Sequence, residues 1–297
     1  MSPGTLSLAL GSGGARGLVH VGVIRELEAA GYRIDSIAGC SMGALVGGVY
    51  ALGKLDEFTD WVTSIKRLDM LRLLDLTWGS EGLMKGERVI GALTRIVGNA
   101  QIEDLPIKYT AVAADINRER EVWLNSGPLF TAIRASMSLP LIFTPVRHGD
   151  ALLVDGGVLN PVPIAPTFHD DTTLTLAVNL CGRPRGESGD AVTEMEETES
   201  PGEDSPIHRR IRQFIDQLGF SEESPAPAPR SDFYTIANQA FDAMQGHIAQ
   251  QKLAAYPPNH LIEVPRDTCG TFEFDRAEEM IALGHSVTRE WLAGLSG

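Results

Sequence analysis

Three short segments hold residue types that can do chemistry together. "GSGGARG", Gly11–Gly17, follows the apolar run Leu6–Leu10 and precedes a helical pattern. Glycines between a strand and a helix free backbone N–H groups to face an anion, and the helix dipole favours negative charge there. "GCSMG", Gly39–Gly43, fits G-x-S-x-G between a strand and a helix. That context sets a serine on a sharp turn with its hydroxyl accessible, and the flanking Gly39 and Gly43 remove side chains that would crowd it. Ser41 is therefore the candidate nucleophile. A serine needs a base. "LLVDGG" offers Asp155 at a strand end, and Gly156 and Gly157 leave room beside it. An Asx turn would account for the same Asp-Gly pair. If Ser41 attacks an acyl carbonyl, the first loop gains a role, because its N–H groups at Gly13, Gly14, Ala15 and Arg16 can hold the developing oxyanion. The Arg16 side chain either meets a phosphate or braces the loop.

Positioning these residues takes a parallel sheet. Leu6–Leu10 and Ile34–Gly39 are short apolar strands, each followed by a glycine turn and a helix; the first helix closes at Gly31. Strand, helix, strand, helix is the rhythm of an α/β fold whose mostly parallel central sheet carries helices on both faces, in three layers. Further strands are expected at Ile107–Ile116, Glu121–Asn125, Ala151–Gly157, Thr173–Leu180 and His260–Pro265. Helices are expected at 67–78, 86–98 and 128–140, after Ser231, and from Asp275 to the end. Residues 186–206 carry eight acidic residues and no Lys or Arg, a composition that cannot offset ordering entropy. The segment 207–220 is amphipathic, and 224–230 is a stiff Pro-Ala linker. We expect a catalytic core at 5–181, an insert at 182–230, and a completing segment at 231–297.

The chain has 297 residues, 43% of them apolar, enough for a sizeable core. Its net charge of −14 excludes nucleic acid as a partner and disfavours electrostatic docking on anionic lipid. The cysteines Cys40, Cys181 and Cys269 form neither a disulfide framework nor a metal pair, which points to a reducing, cytoplasmic setting. The N-terminus lacks the basic and apolar regions of a signal peptide, and no apolar run reaches the ~18 residues of a membrane span. Peripheral membrane contact through the Leu-rich stretch 68–97, with Leu71 and Leu74, stays open beside ordinary packing.

With "RASMSLPLIFTPV" (Arg134–Val146) and "DGGV" (Asp155–Val158), the two glycine motifs make four blocks in order between Gly11 and Val158. In these blocks the chain resembles the patatin-like phospholipase family in its short bacterial form. The resemblance implies a Ser-Asp dyad without a catalytic histidine: Ser41 the nucleophile, Asp155 the base, the Gly13–Arg16 backbone the oxyanion hole. It also implies an acyl-enzyme intermediate, phospholipid or lysophospholipid acyl esters as substrates, and neither metal nor cofactor. Three other readings compete. An α/β-hydrolase triad would draw on His247, His260 or His285. A dinucleotide site is weakened by Arg16, which stands where the fingerprint wants its third glycine, and Asp35 starts a strand instead of ending one. A non-catalytic lipid-binding regulator would keep the motifs without turnover. His20, within the first helix, is read as a packed, hydrogen-bonded histidine.

Overall fold

The computed structural model describes residues 4–65, 86–140, 142–185 and 230–295, with the backbone alone for 230–235. The expected helix at 67–78 with Leu71 and Leu74, the acidic stretch, the amphipathic segment and the Pro-Ala stretch up to Pro229 lie outside the described residues. The chain divides into two compact units, Met1–Arg185 with Asp242–Gly297, and Gly186–Phe241. The first unit holds an eight-stranded mixed sheet.

Its strands are β1 (Thr5–Leu10), β2 (Arg33–Cys40), β3 (Lys108–Asp115), β4 (Arg120–Leu124), β5 (Val146–His148), β6 (Ala151–Asp155), β7 (Leu174–Gly182) and β8 (His260–Pro265). The order is β5-β6-β3-β2-β1-β7-β8, with β4 also paired to β3. β3, β2, β1, β7 and β8 run parallel, while β4 and β6 are antiparallel to β3. The helices are α1 (Val19–Ala29), α2 (Met42–Ala51), α3 (Leu55–Ser64), α4 (Glu87–Val97), α5 (Leu129–Ser136), α6 (Arg230–Ala255) and α7 (Ala277–Gly294).

Side-chain alternation along the central strands separates the two faces. Leu6, Leu8, Leu10, Leu176, Val178 and Leu180 enter the main core with residues of α1, α2 and α7. The small residues Ala9 and Ala177 face the other way, against Val162, Ile164 and Ala249 of α6. Large residues on one face and small ones on the other let helices cover both, which gives the expected three layers. The short strand β5 has no counterpart among the expected elements: three residues are too few to show a period. α5 stops at Ser136, short of the expected end at Pro140. A residue before proline is pushed out of the helical region, and the Ser136 hydroxyl is bonded outside the helix.

The sheet brings the two candidate side chains together by a change of partner along one edge of β3. β2 pairs with β3 over Lys108–Val112, and β4 pairs over Ala111–Asp115. Their overlap puts them on opposite edges. β6 pairs with Ala113–Asp115, where β4 already holds one edge, so β6 takes the edge that β2 leaves. Cys40 ends β2 opposite Val112, and Asp155 ends β6 opposite Ala113. Two strands running in opposite directions thus deliver Ser41 and Asp155 to adjacent places, 114 residues apart in sequence.

Candidate active site

Ser41 caps α2 with φ 55° and ψ −120°, a conformation rare for a side-chain-bearing residue and costing about 1–3 kcal/mol. The surroundings hold it there. Its carbonyl accepts the first helical bond, from Leu45 N at 3.1 Å. Its N–H donates to Ser136 Oγ at 2.9 Å, and that hydroxyl donates to Val112 O at 2.6 Å. The turn is so tight that a Cβ at Gly43 would overlap the Leu10 carbonyl, and one at Gly39 would meet Ala44 Cα at 2.6 Å.

Asp155 is 1% exposed. Its carboxylate accepts from Gly157 N at 2.8 Å and from the Cys40 thiol at 3.9 Å, and the neighbouring Ser41 side chain also favours its charged form. Burial raises its pKa to about 6, against the pull of these three groups. A carboxylate raised that far remains ionised near neutral pH and is a better proton acceptor than one in water. Gly156 passes beside Val112 O and Cys40 Sγ, and Gly157 beside Gln245 and Ser12, so both follow the base through space that admits no side chain.

The four N–H groups of the first loop are not equivalent. Ala15 N donates to Thr271 O at 2.9 Å and Arg16 N to Gly13 O at 3.2 Å. Gly13 N and Gly14 N have no acceptor among the described residues. The free donors are therefore the first two of the four. The Arg16 side chain is buried, with Nη1 donating to Cys269 O at 2.7 Å and Nη2 3.5 Å from Asp242 Oδ1. It braces the loop against the segment after β8 and against α6, while its buried Nε has no partner among the described residues. His20 Nε2 lies 2.8 Å from Gly11 O behind the same loop, and burial lowers its pKa to about 4, so this ring is neutral.

Beside Ser41 opens an apolar cleft with a cavity volume of about 80 Å³. Met42 and Leu45 of α2, Phe58, Trp61 and Val62 of α3, Ile65, Val89 and Leu93 of α4, and Met137, Leu139 and Phe143 line it. Thr271, Phe272 and Phe274 complete the wall near Gly14. No histidine and no charged side chain lines it among the described residues. The histidines of the competing triad are engaged elsewhere: His285 with Glu26 at 2.7 Å, His260 edge-on to Trp291, and His247 with Gln251 at 3.0 Å.

Several site residues escaped the sequence reading. Ser136 and Ser138 sit in the third block. The first holds Ser41 N, and the carbonyl of the second accepts from Asp155 N at 2.9 Å, so one segment ties both candidate groups in place. Thr271 and Asp242 come from the last third of the chain and carry no local signal. Gln245 donates to Ser12 Oγ at 3.3 Å beside Gly157 and is equally silent in sequence. Ser136→Ala would leave a buried N–H and a buried carbonyl without partners, at about 1–3 kcal/mol of stability, and free a strained backbone. We expect kcat to fall about 100-fold, since small misplacements of a reacting group carry such costs. Ser136→Thr, which keeps the hydroxyl, is expected to recover most of it; steady-state kinetics on both variants checks this.

Comparison with known proteins adds the kinship. The family model described as patatin-like phospholipase matches residues 8–168. An NTE family protein of Mycobacterium tuberculosis is 39% identical, over 97% of this chain and 91% of its own length. The lysophospholipase nte1 of Emericella nidulans is 29% identical, over 98% of this chain and 18% of its own length. Among solved structures, VipD from Legionella pneumophila aligns with 99% of this chain and 67% of its own at 12% identity, with a TM-score of 0.48.

Proposed function

The chain belongs to the patatin-like phospholipase family, and on that premise we propose a serine acyl-ester hydrolase of phospholipase A or lysophospholipase type, working through a Ser41–Asp155 dyad. Family membership and the lysophospholipase relatives support lipid-ester hydrolysis. The observation that carries the finer reading is Ser41 on its strained turn beside a buried carboxylate with a raised pKa, with Ser41 lining an apolar cleft. The catalytic core is assigned to 5–181 and 231–297, around an insert at 182–230.

The acyl chain enters the cleft and the ester carbonyl comes to Ser41. As Oγ bonds to the carbonyl carbon, its proton passes to Asp155, and the carbonyl oxygen takes up negative charge. The N–H groups of Gly13 and Gly14 face that oxygen already oriented, aided by the helical turn that begins there. Asp155 then gives its proton to the leaving alkoxide. A water repeats the sequence on the acyl-enzyme, with Asp155 again taking the proton. An ester leaving group needs less acid assistance than an amide, so a lone carboxylate serves. The three cysteines are buried and free, in keeping with a cytoplasmic setting. No described helix is long and apolar enough to cross a membrane, and contact with lipid is read as peripheral.

A fluorophosphonate tests this directly. Mass spectrometry is expected to find one adduct, on Ser41, and the labelling rate is expected to rise with pH through an inflection near 6, where Asp155 ionises. Failure to label, together with ester hydrolysis surviving in Ser41→Ala, would overturn the assignment.

A further inference from the structure

The cleft beside Ser41 is walled in part by α2 and α3. α2 and α3 are joined by only Leu52–Lys54, a length that folds two helices back on each other. Such a link lets α3 fold back along α2, and on that path Leu55 lies at the end remote from Ser41 and Ser64 at the near end. On α2 the cleft is lined by Met42 and Leu45, but not by Val49, which is one turn further and fully buried. On α3 the lining residues Phe58, Trp61 and Val62, with Ile65 beyond them, recur at helical spacing on one face. On that path Phe58, the first of them in the chain, lies furthest from Ser41. It is 1% exposed, and Leu93 of α4, also lining the cleft, is fully buried. The polar side chains among the lining residues are Ser41 and Thr271.

We propose that Phe58 sets the length of acyl chain this site accepts, the terminal methyl of a single unbranched saturated chain resting against its ring. This rests on the acyl-ester reading above. Each methylene that enters apolar surroundings adds to transition-state binding, until the chain reaches a wall that does not yield. Beyond that length the chain must buckle or leave methylenes in water. The apolar lining offers no partner for a polar substituent along the chain, which would be buried unsatisfied.

The test is a panel of p-nitrophenyl esters of increasing saturated chain length, read as kcat/KM, for wild type, Phe58→Leu and Phe58→Ala. The optimum is expected to move to longer chains in the order Phe, Leu, Ala. For an ester about two carbons longer than the wild-type optimum, kcat/KM relative to that optimum is expected to rise about tenfold in Phe58→Ala. Loss of folded protein lowers every ester alike and leaves this ratio unchanged, so partial destabilisation does not imitate the effect. Phe58→Leu, a milder change of core volume, carries the test if Phe58→Ala does not fold. An unmoved optimum in a variant that still labels with fluorophosphonate at the wild-type rate would overturn the length gauge alone. A wild type that cleaves none of the esters would overturn the acyl-ester reading, and the gauge with it.

Discussion

Asp155→Asn is expected to lower kcat for ester hydrolysis by about four orders of magnitude while making the protein more stable at alkaline pH. Asparagine keeps the shape and an oxygen to accept from Gly157 N, but it cannot take the Ser41 proton. Because the two groups act as a unit, Ser41→Ala combined with Asp155→Asn is expected to cost no more than Ser41→Ala alone. The stability effect follows from the raised pKa. In the unfolded chain this carboxyl titrates near its ordinary value of 3.8, and in the folded protein near 6. The folded state therefore holds the proton more tightly. The associated stability is fully present below pH ~3.8 and is lost as pH rises through 6. At pH 8 the buried charge costs about 3 kcal/mol relative to a neutral side chain. Thermal unfolding is expected to show Asp155→Asn above wild type at pH 8, with the difference vanishing near pH 4. A difference independent of pH would contradict the burial of an ionised base.

Gly43→Ala is expected to cost more than about 3 kcal/mol, although alanine is normally the better helix former by about 1 kcal/mol. The position is inside α2, but its Cβ would fall on the Leu10 carbonyl, where the nucleophile turn crosses the end of β1. Backbone cannot yield there without displacing β1, which leads into the Gly11–Gly17 loop. Gly91→Ala in α4 is the matched control. Nothing among the described residues lies within 4 Å of its Cβ, so the ordinary propensity gain of about 0.5–1 kcal/mol is expected. Denaturant unfolding of the two variants should therefore move in opposite directions; a loss in both would mean that helix contacts and not the turn decide the effect.

The turns that hold the candidate residues were legible because their requirements are local. A tight strand-to-helix turn demands glycine at positions 39 and 43, and a parallel sheet buried on both faces writes short runs of mainly apolar and small residues such as Leu6–Leu10 and Ile34–Gly39. β8 was expected at His260–Pro265 and lies there. The third block was visible as a motif, yet its work was not, since a serine that bridges Ser41 N to Val112 O looks in sequence like any small helical residue. The ambiguity of Arg16 had the same cause: a guanidinium after a glycine loop suits a phosphate as well as a brace, until Cys269 and Asp242 are seen to occupy it.

The sequence by itself determined the fold class, the turn that presents Ser41, and the candidate pair, because glycine spacing and hydrophobic period act over a few residues. Only the tertiary structure decided which loop N–H groups stay free, what shapes the cleft, and how Ser41 and Asp155 meet. Those depend on β6 taking the edge of β3 that β2 leaves, and on Thr271, Asp242 and Ser136 arriving from distant segments. Such contacts are long-range in sequence, and no local preference encodes them.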